Sequence, residues 1–355
     1  DKLAASLGMD PVELRMRNAM QTGTSMPTGA PINCPAPVRE LLESVRSRPL
    51  PSGDGGVPGG VANVTRGEGV VRGVGYAVGF KNVGFSEGFD DYSTARVKLS
   101  EAGSEPLVEV HTAAAEVGQG LVTVIGQIAR TELGVENVIV LPADTQVGSA
   151  GSSSASRQTH MTGGAVQAAC IAVREELAAL GGVLPPGGIE CTREYHHRPT
   201  QPLDERGQGD AHVTFAFAAH RAVVDVDVEL GLVRVVEIAT AQDVGKAMNP
   251  LAVEGQIEGG IAQGLGLALM EEIQVVDGLV RNASFTDYLI PTVLDMPPVE
   301  LEVFELGDPD SPYGLRGIGE PPTISSTPAV MAALRAATGR PLTRVPVRPD
   351  DIVGL

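Results

Sequence analysis

The run Glu254 to Gly266, EGQIEGGIAQGLG, constrains this chain most, because it sets five glycines inside a helical pattern. Asn249 and Pro250 precede it as an N-cap and a first-turn proline, which predicts a helix from there to about Glu272. Each glycine inside a helix costs roughly 0.5–1 kcal/mol relative to alanine, so something must offset five of them. Gly255 and Gly259 lie four apart and would let another backbone or a flat ligand approach closely. Gln256 and Gln263 fall on one face, two turns apart. Read alone, the pattern is equally explained by packing of one helix on another.

Residues 1–46 read as helical segments, with Asp10-Pro11 a helix start and Val38 to Val45 a second amphipathic stretch. Residues 47–66 are rich in Pro, Gly and Ser without an apolar period and read as a linker. Strand-like runs follow (GVGYAVGF, ARVKLS, LVEVHT), then core-packed helices at 119–133, with Gly134 as C-cap, and at 160–181. Residues 184–210 form a loop-rich connection. Next, FAFAAHRAVVDVDV and LVRVVEIATA around Gly231 alternate as half-buried hairpin strands. After the glycine-rich helix come another strand region, a Gly-rich loop ending at Glu320, and a final helix at 327–338. The expected class is α+β: two mixed α/β subdomains, 67–183 and 211–355, packed around a cleft.

With 355 residues, 43% of them hydrophobic, the chain is long enough for two packed units. Its net charge of −18 would repel nucleic acid and anionic membrane surfaces, so any bound phosphate must be held by local backbone donors. The three cysteines, Cys34, Cys170 and Cys191, have neither a CxxC nor a His/Cys ligand spacing, which excludes a disulfide framework or zinc site and points to a reducing, cytoplasmic compartment. The six histidines show no HExxH, and neither GxxxxGK[ST] nor a helix-opening GxGxxG is present, so the usual nucleotide-binding devices are unsupported. No apolar run reaches the roughly 18 residues of a membrane span. The start at Asp1, inside a helical pattern, reads as a piece of something longer.

Three further segments could carry chemistry. EVGQG, Glu116 to Gly120, sits between a strand and a helix, where its backbone amides and the Gln119 amide would face whatever occupies the helix N-terminus. GSAGSSSASRQTHMTGG, residues 148–164, offers many small donors before a helix start, which suits a phosphate or an oxygen-rich group. In RGIGEPP, Arg316 to Pro322, a carboxylate stands between a flexible glycine pair and two prolines. Facing a low-dielectric pocket, Glu320 would have its pKa raised and could take a proton near neutral pH. Each segment alone also fits an ordinary turn, surface loop or exposed Glu.

In order and with these separations, the four segments resemble the xanthine dehydrogenase and aldehyde oxidase family of molybdenum hydroxylases. EVGQG is similar to the family's G-Q-G loop, and SSSASR with TGGAVQAAC to its T-A-A-S segment and helix. DVGKAMNPLAVEGQIEGGIAQGLG resembles its long glycine-rich helix, and FTDYLIPT followed by GIGEPP its closing active-site stretch. The likeness covers nearly the whole chain, including LGMDPVELRMRNAM. GYAVGFKNVGFSEGFDDYSTARV and SAGSSSASRQTHMTGGAV resemble the bacterial xanthine dehydrogenase-like branch.

The resemblance implies the second molybdopterin-binding portion of a large subunit, with its subdomains around a cofactor cleft. Gly118, Gln119 and Gly120 would contact the pterin or an oxygen near molybdenum. Ala155 and Ser156 would contact the pyranopterin and its phosphate tail, with Ser153, Ser154 and Arg157 adjacent. Gln256 would hydrogen-bond the cofactor from the glycine-rich helix, and Glu320 would be the catalytic base. Arg157 and Gln158 stand where many relatives carry smaller residues. Molybdenum would be held by the pterin dithiolene, in molybdopterin or its cytosine dinucleotide form, and not by a protein ligand. The first molybdopterin-binding portion, a [2Fe-2S] subunit and an FAD subunit would complete a dimer of heteromers. The reaction implied is hydroxylation of an electron-poor carbon of a purine or related N-heterocycle by water. An aldehyde, nicotinate or carbon monoxide dehydrogenase is the alternative within the family, and a catalytically silent assembly subunit the alternative outside catalysis.

Overall fold

The computed structural model of the chain describes residues 1–52 and 69–354, so most of the expected linker 47–66 lies outside the described residues. In chain order the elements are α1 (Lys2–Ser6), α2 (Pro11–Arg17), α3 (Val38–Ser47), β1 (Val70–Val83), β2 (Tyr92–Ala102), β3 (Glu105–Thr112), α4 (Leu121–Leu133), β4 (Val138–Leu141), α5 (Gln158–Ala179) and β5 (Ile189–His196). There follow β6 (Thr214–Asp227), β7 (Leu232–Asp243), α6 (Pro250–Leu269), β8 (Val275–Val276), β9 (Leu279–Val280), β10 (Val299–Phe304), a short 3₁₀ turn (Pro312–Gly314), α7 (Pro321–Thr338) and α8 (Pro349–Val353).

Several element ends follow from local chemistry. The Asp10 carboxylate accepts hydrogen bonds from the Val12 and Glu13 amides, with Pro11 opening α2. The Asn249 side chain does the same for Ala252 ahead of α6. Gly134 ends α4 in the left-handed conformation, where its lack of a Cβ removes the steric cost. Pro321 and Pro322 start α7 earlier than the expected residue 327, because proline suits the first helical turn, where its missing N–H is not needed.

Two four-stranded sheets, β4-β3-β2-β5 and β1-β6-β7-β10, make the fold α+β, as expected. Their composition crosses the subdomain boundaries read from the sequence. β1 pairs antiparallel with β6 from Val70↔Asp227 to Val83↔Thr214, so residues 70–83 belong to the sheet that β6, β7 and β10 complete. β5, within the stretch read as loop-rich, pairs with β2 as an edge strand. Strand partners this distant in sequence leave no local trace. α4 and α5 cover the first sheet, burying Val97, Val110, Ile125, Ile128, Val166 and Cys170 together.

The second sheet is covered on both faces, by α7 and by α3. This corrects the half-buried reading of β6, every residue of which except Asp225 is buried. β6 is built mostly of Ala, Val and Phe, which suits a strand with no solvent face. A Cβ at Gly75 would collide with the backbone of Ala329 and Ala333, so α7 lies directly on β1. α6 packs against α7 in turn: a Cβ at Gly260 would come 2.7 Å from Pro322, and one at Gly264 would overlap Ser326. The helix-packing account therefore holds for Gly260 and Gly264. Gly255 and Gly259 instead have nothing within 4 Å of a hypothetical Cβ, and both are exposed. Among the described residues no helix is long and apolar enough to cross a membrane.

Candidate functional site

Glu320 stands immediately before α7, held by the two prolines that follow it. Its amide donates to Ser156 Oγ (3.1 Å), and the same hydroxyl donates to Glu320 Oε2 (2.7 Å), so the two residues hold each other reciprocally. Ala155 and Ser156 both take left-handed backbone conformations, φ 54° and 50°. Such conformations cost non-glycine residues on the order of 1–3 kcal/mol each and persist only where surroundings impose them. Here the Gly84 amide donates to the Ala155 carbonyl (3.0 Å). On the other side Gly317 approaches so closely that any Cβ there would collide with the Ser156 carbonyl.

A residue that the sequence reading missed completes this corner. Lys81, near the end of β1, places Nζ 2.8 Å from Glu320 Oε2 and also donates to the Asn82 carbonyl. The pair corrects the expectation of a raised pKa. Burial pushes the Glu320 carboxyl up, but hydrogen bonds from Lys81 and Ser156 and the Lys81 charge outweigh it and hold it below its ordinary value. The Glu320 side chain is also 46% exposed, so water screens part of the burial effect. The one signal in the sequence is a lysine near the end of a strand whose other charge, Arg72, lies at the opposite end and pairs with Asp225.

α6 contributes Gln256. A Cβ on Gly319 would lie 3.9 Å from both Gln256 Oε1 and Ser156 Oγ, so these two polar atoms flank the residue before Glu320. The EVGQG loop comes within one helical turn of Gln256: a Cβ on Gly120 would be 3.7 Å from the Ala252 side chain. Ser156, Gln256 and Glu320 are thus brought together, with Gly120 one helical turn along α6 from Gln256; Gly118 and Gln119 follow it only through the loop they share.

Two expectations about donors are corrected. The EVGQG amides turn inward, because the Glu116 carboxylate accepts from Gly118 (2.8 Å), Gly120 (3.1 Å) and Val122 (2.9 Å). Gln119 closes on its own loop, accepting from the Val117 amide (2.7 Å) and donating to the Ala115 carbonyl (3.0 Å). What occupies the helix N-terminus is therefore an internal carboxylate, that of Glu116, and not a ligand. Arg157, expected beside a phosphate, is fully buried in a bidentate pair with Asp91 (2.6 Å on each oxygen). It also donates to the carbonyls of Ala150, Ser152 and Tyr92. A guanidinium has five N–H donors, so none remains for a ligand. Ser153 and Ser154 are exposed, and the Ser154 hydroxyl meets Ser152 Oγ at 2.5 Å.

The converging segments form an open face and not the buried pocket expected: Gly118, Ser153, Ser154, Gly255, Gly259 and Gly319 are all exposed. Among the described residues no group of His, Cys, Asp and Glu could hold a metal ion directly.

Residues 60–193 and 183–297 match the molybdopterin cofactor-binding domain family. The xanthine dehydrogenase molybdenum-binding subunit of Escherichia coli O157:H7 is 30% identical, covering 99% of this chain and 50% of that protein. Subunit gamma of the 6-hydroxypseudooxynicotine dehydrogenase complex of Paenarthrobacter nicotinovorans is 31% identical over 74% of this chain and 37% of its own length. Among solved structures, the aldehyde oxidoreductase of Desulfovibrio gigas superposes with a TM-score of 0.81 at 28% identity, covering 100% of this chain and 39% of that one. The chain spans half or less of the length of each of these relatives.

Proposed function

Because the chain belongs to the molybdopterin cofactor-binding family, as a molybdenum-binding portion of the xanthine dehydrogenase type, we propose that its open face forms one wall of a hydroxylase active site in which Glu320 is the base. The observation that carries this reading is the meeting of Glu320, Ser156 and Gln256 beside an exposed glycine strip. That face fits a flat, oxygen-rich cofactor. Gly255 and Gly259 leave space where any larger side chain would protrude, Gln256 stands between them, and exposed serine hydroxyls lie on the neighbouring loop. When bound, the molybdenum-pyranopterin supplies a two-electron acceptor for inserting a water-derived oxygen into an electron-poor carbon.

The residues of this chain have separable tasks. Lys81 and Ser156 both engage Glu320 Oε2, which leaves Oε1 without a side-chain partner among the described residues. Oε1 is then the atom that takes the proton of the attacking oxygen. Gln256 would hydrogen-bond the cofactor, and Gly118, Gln119 and Gly120 would border it through a loop that Glu116 keeps rigid. Ala155 and Ser156 would meet it through their fixed backbone, with Ser153 and Ser154 adjacent. Arg157 pins this loop from beneath.

The substrate in this reading is a purine or related N-heterocycle, supported by the relative named a xanthine dehydrogenase subunit. An aldehyde is the second reading, favoured by the likeness to the aldehyde oxidoreductase. Turnover of purines against aldehydes separates them. The rest of the large subunit would close the face, with [2Fe-2S] and FAD on partner chains or domains, in a cytoplasmic dimer of heteromers. Exposed apolar side chains such as Val275 (59%), Phe285 (83%) and Val293 (86%) support a covering portion. Glu320→Gln in the assembled enzyme is expected to lower turnover at least about 100-fold with molybdenum content unchanged. Near-normal turnover removes the reading.

A further inference from the structure

We propose that Lys81 is a positioning residue for Glu320: with Ser156 it grips Oε2, so that Oε1 alone is presented for reaction. The inference rests on the reading of Glu320 as base and adds to it a residue on a different element. Its ground is geometric. Lys81 reaches Glu320 Oε2 at 2.8 Å and Ser156 Oγ reaches the same oxygen at 2.7 Å, from β1 and from the loop before α5 respectively. Lys81 is itself tethered by its bond to the Asn82 carbonyl (2.5 Å), and its side chain is only 21% exposed. An ammonium held between two acceptors is a fixed point charge.

Among the described residues Lys81 is the charged group that acts on Glu320, beside the Ser156 hydroxyl and a backbone hydrogen bond from Ala155. The loop before α5 presents the Ser156 hydroxyl and the Ala155 backbone, and α7 opens with Pro321, Pro322 and Thr323. α6 presents the neutral Gln256 near Gly319. Glu254 and Glu258 are exposed and, two positions either side of Gln256, lie about 160° round the helix from it. The ammonium thus has two effects. It fixes which oxygen is free, and it favours the ionised carboxylate, so the base is ready at neutral pH without needing a raised affinity for protons.

The test compares Lys81→Met and Lys81→Arg with the unaltered enzyme in the complete holoenzyme, with molybdenum content measured for each. The pH profile of kcat/KM is the readout, with whichever of xanthine or an aromatic aldehyde the unaltered enzyme oxidises. For Lys81→Met the acid limb is expected to move to higher pH and kcat to fall, with molybdenum content retained. Lys81→Arg, which can still donate to Oε2, is expected to recover most of the profile. Difference infrared titration of the Glu320 carboxyl, identified by its loss in Glu320→Gln, should shift the same way without any turnover. An unmoved acid limb and an unmoved infrared titration in Lys81→Met, or a change confined to KM, overturns the inference. Should Glu320→Gln turn over normally, it is the reading of Glu320 as base that fails.

Discussion

Replacing Arg157 by Met decides whether this buried guanidinium holds the loop or touches a ligand. The side chain is 0% exposed and its partner Asp91 3%, and the five contacts to Asp91, Ala150, Ser152 and Tyr92 use every donor it has. The guanidinium also lies 5.5 Å from the Phe85 ring centroid. Removing one partner of a buried pair strands the other charge and costs about 3–5 kcal/mol. Expressed locally, a loss of about 3 kcal/mol accelerates amide exchange by opening roughly 100-fold, since about 1.4 kcal/mol is a factor of ten. Hydrogen-exchange mass spectrometry of peptides spanning residues 149–157, in the complete protein with and without its cofactor, reads this directly. The loss is expected in both forms. Replacing Asp91 by Leu in addition should restore much of the protection, because the stranded carboxylate is then gone. If exchange in the cofactor-free protein stays within about threefold of the unaltered protein, the pinning argument is wrong.

Two further outcomes follow from the structure. Gly317→Ala forces a Cβ into the Ser156 carbonyl, so the 155–156 loop must move; overpacking of this kind costs about 1–3 kcal/mol, and a drop in molybdenum content of the purified enzyme is expected. Burial pushes His160 down to about 4 and His220 down to about 3 from 6.5, so both are neutral in the fold. The unfolded chain binds their protons first, and their contribution to stability is therefore complete above about 6.5 and is lost as pH falls toward 4 and 3. Denaturation midpoints measured across that window should fall less steeply when His220 is replaced by Gln.

Much of the local structure was legible because its causes are local. Asp10-Pro11, Asn249-Pro250 and Gly134 mark helix ends through bonds made within a few residues, and those ends are observed. The alternating runs around Gly231 located β6 and β7, but not their surroundings. That β6 is buried on both faces depends on α3 and α7, and that β1 joins it depends on a register spanning the chain. β5 is hard to read because its alternation, Ile189, Cys191 and Tyr195 inward, is broken by Arg193 at the third position of that series and sits among charged residues, as is common in an edge strand.

At the candidate site, residue types and order came from the sequence: a rigid Gly-Glu-Pro-Pro turn, a serine loop, a glycine-rich helix and EVGQG, whose combination identified the family. Folding decided which atoms are available. The amides of EVGQG and all the donors of Arg157 are taken by internal carboxylates and carbonyls, and proximity in space made those choices. The lowering of the Glu320 pKa likewise comes largely from Lys81, a partner contributed by β1. Backbone propensity and capping act over a few residues and can be read from a string, whereas electrostatic and hydrogen-bond partners are set by distances of a few ångströms that only the packed chain defines.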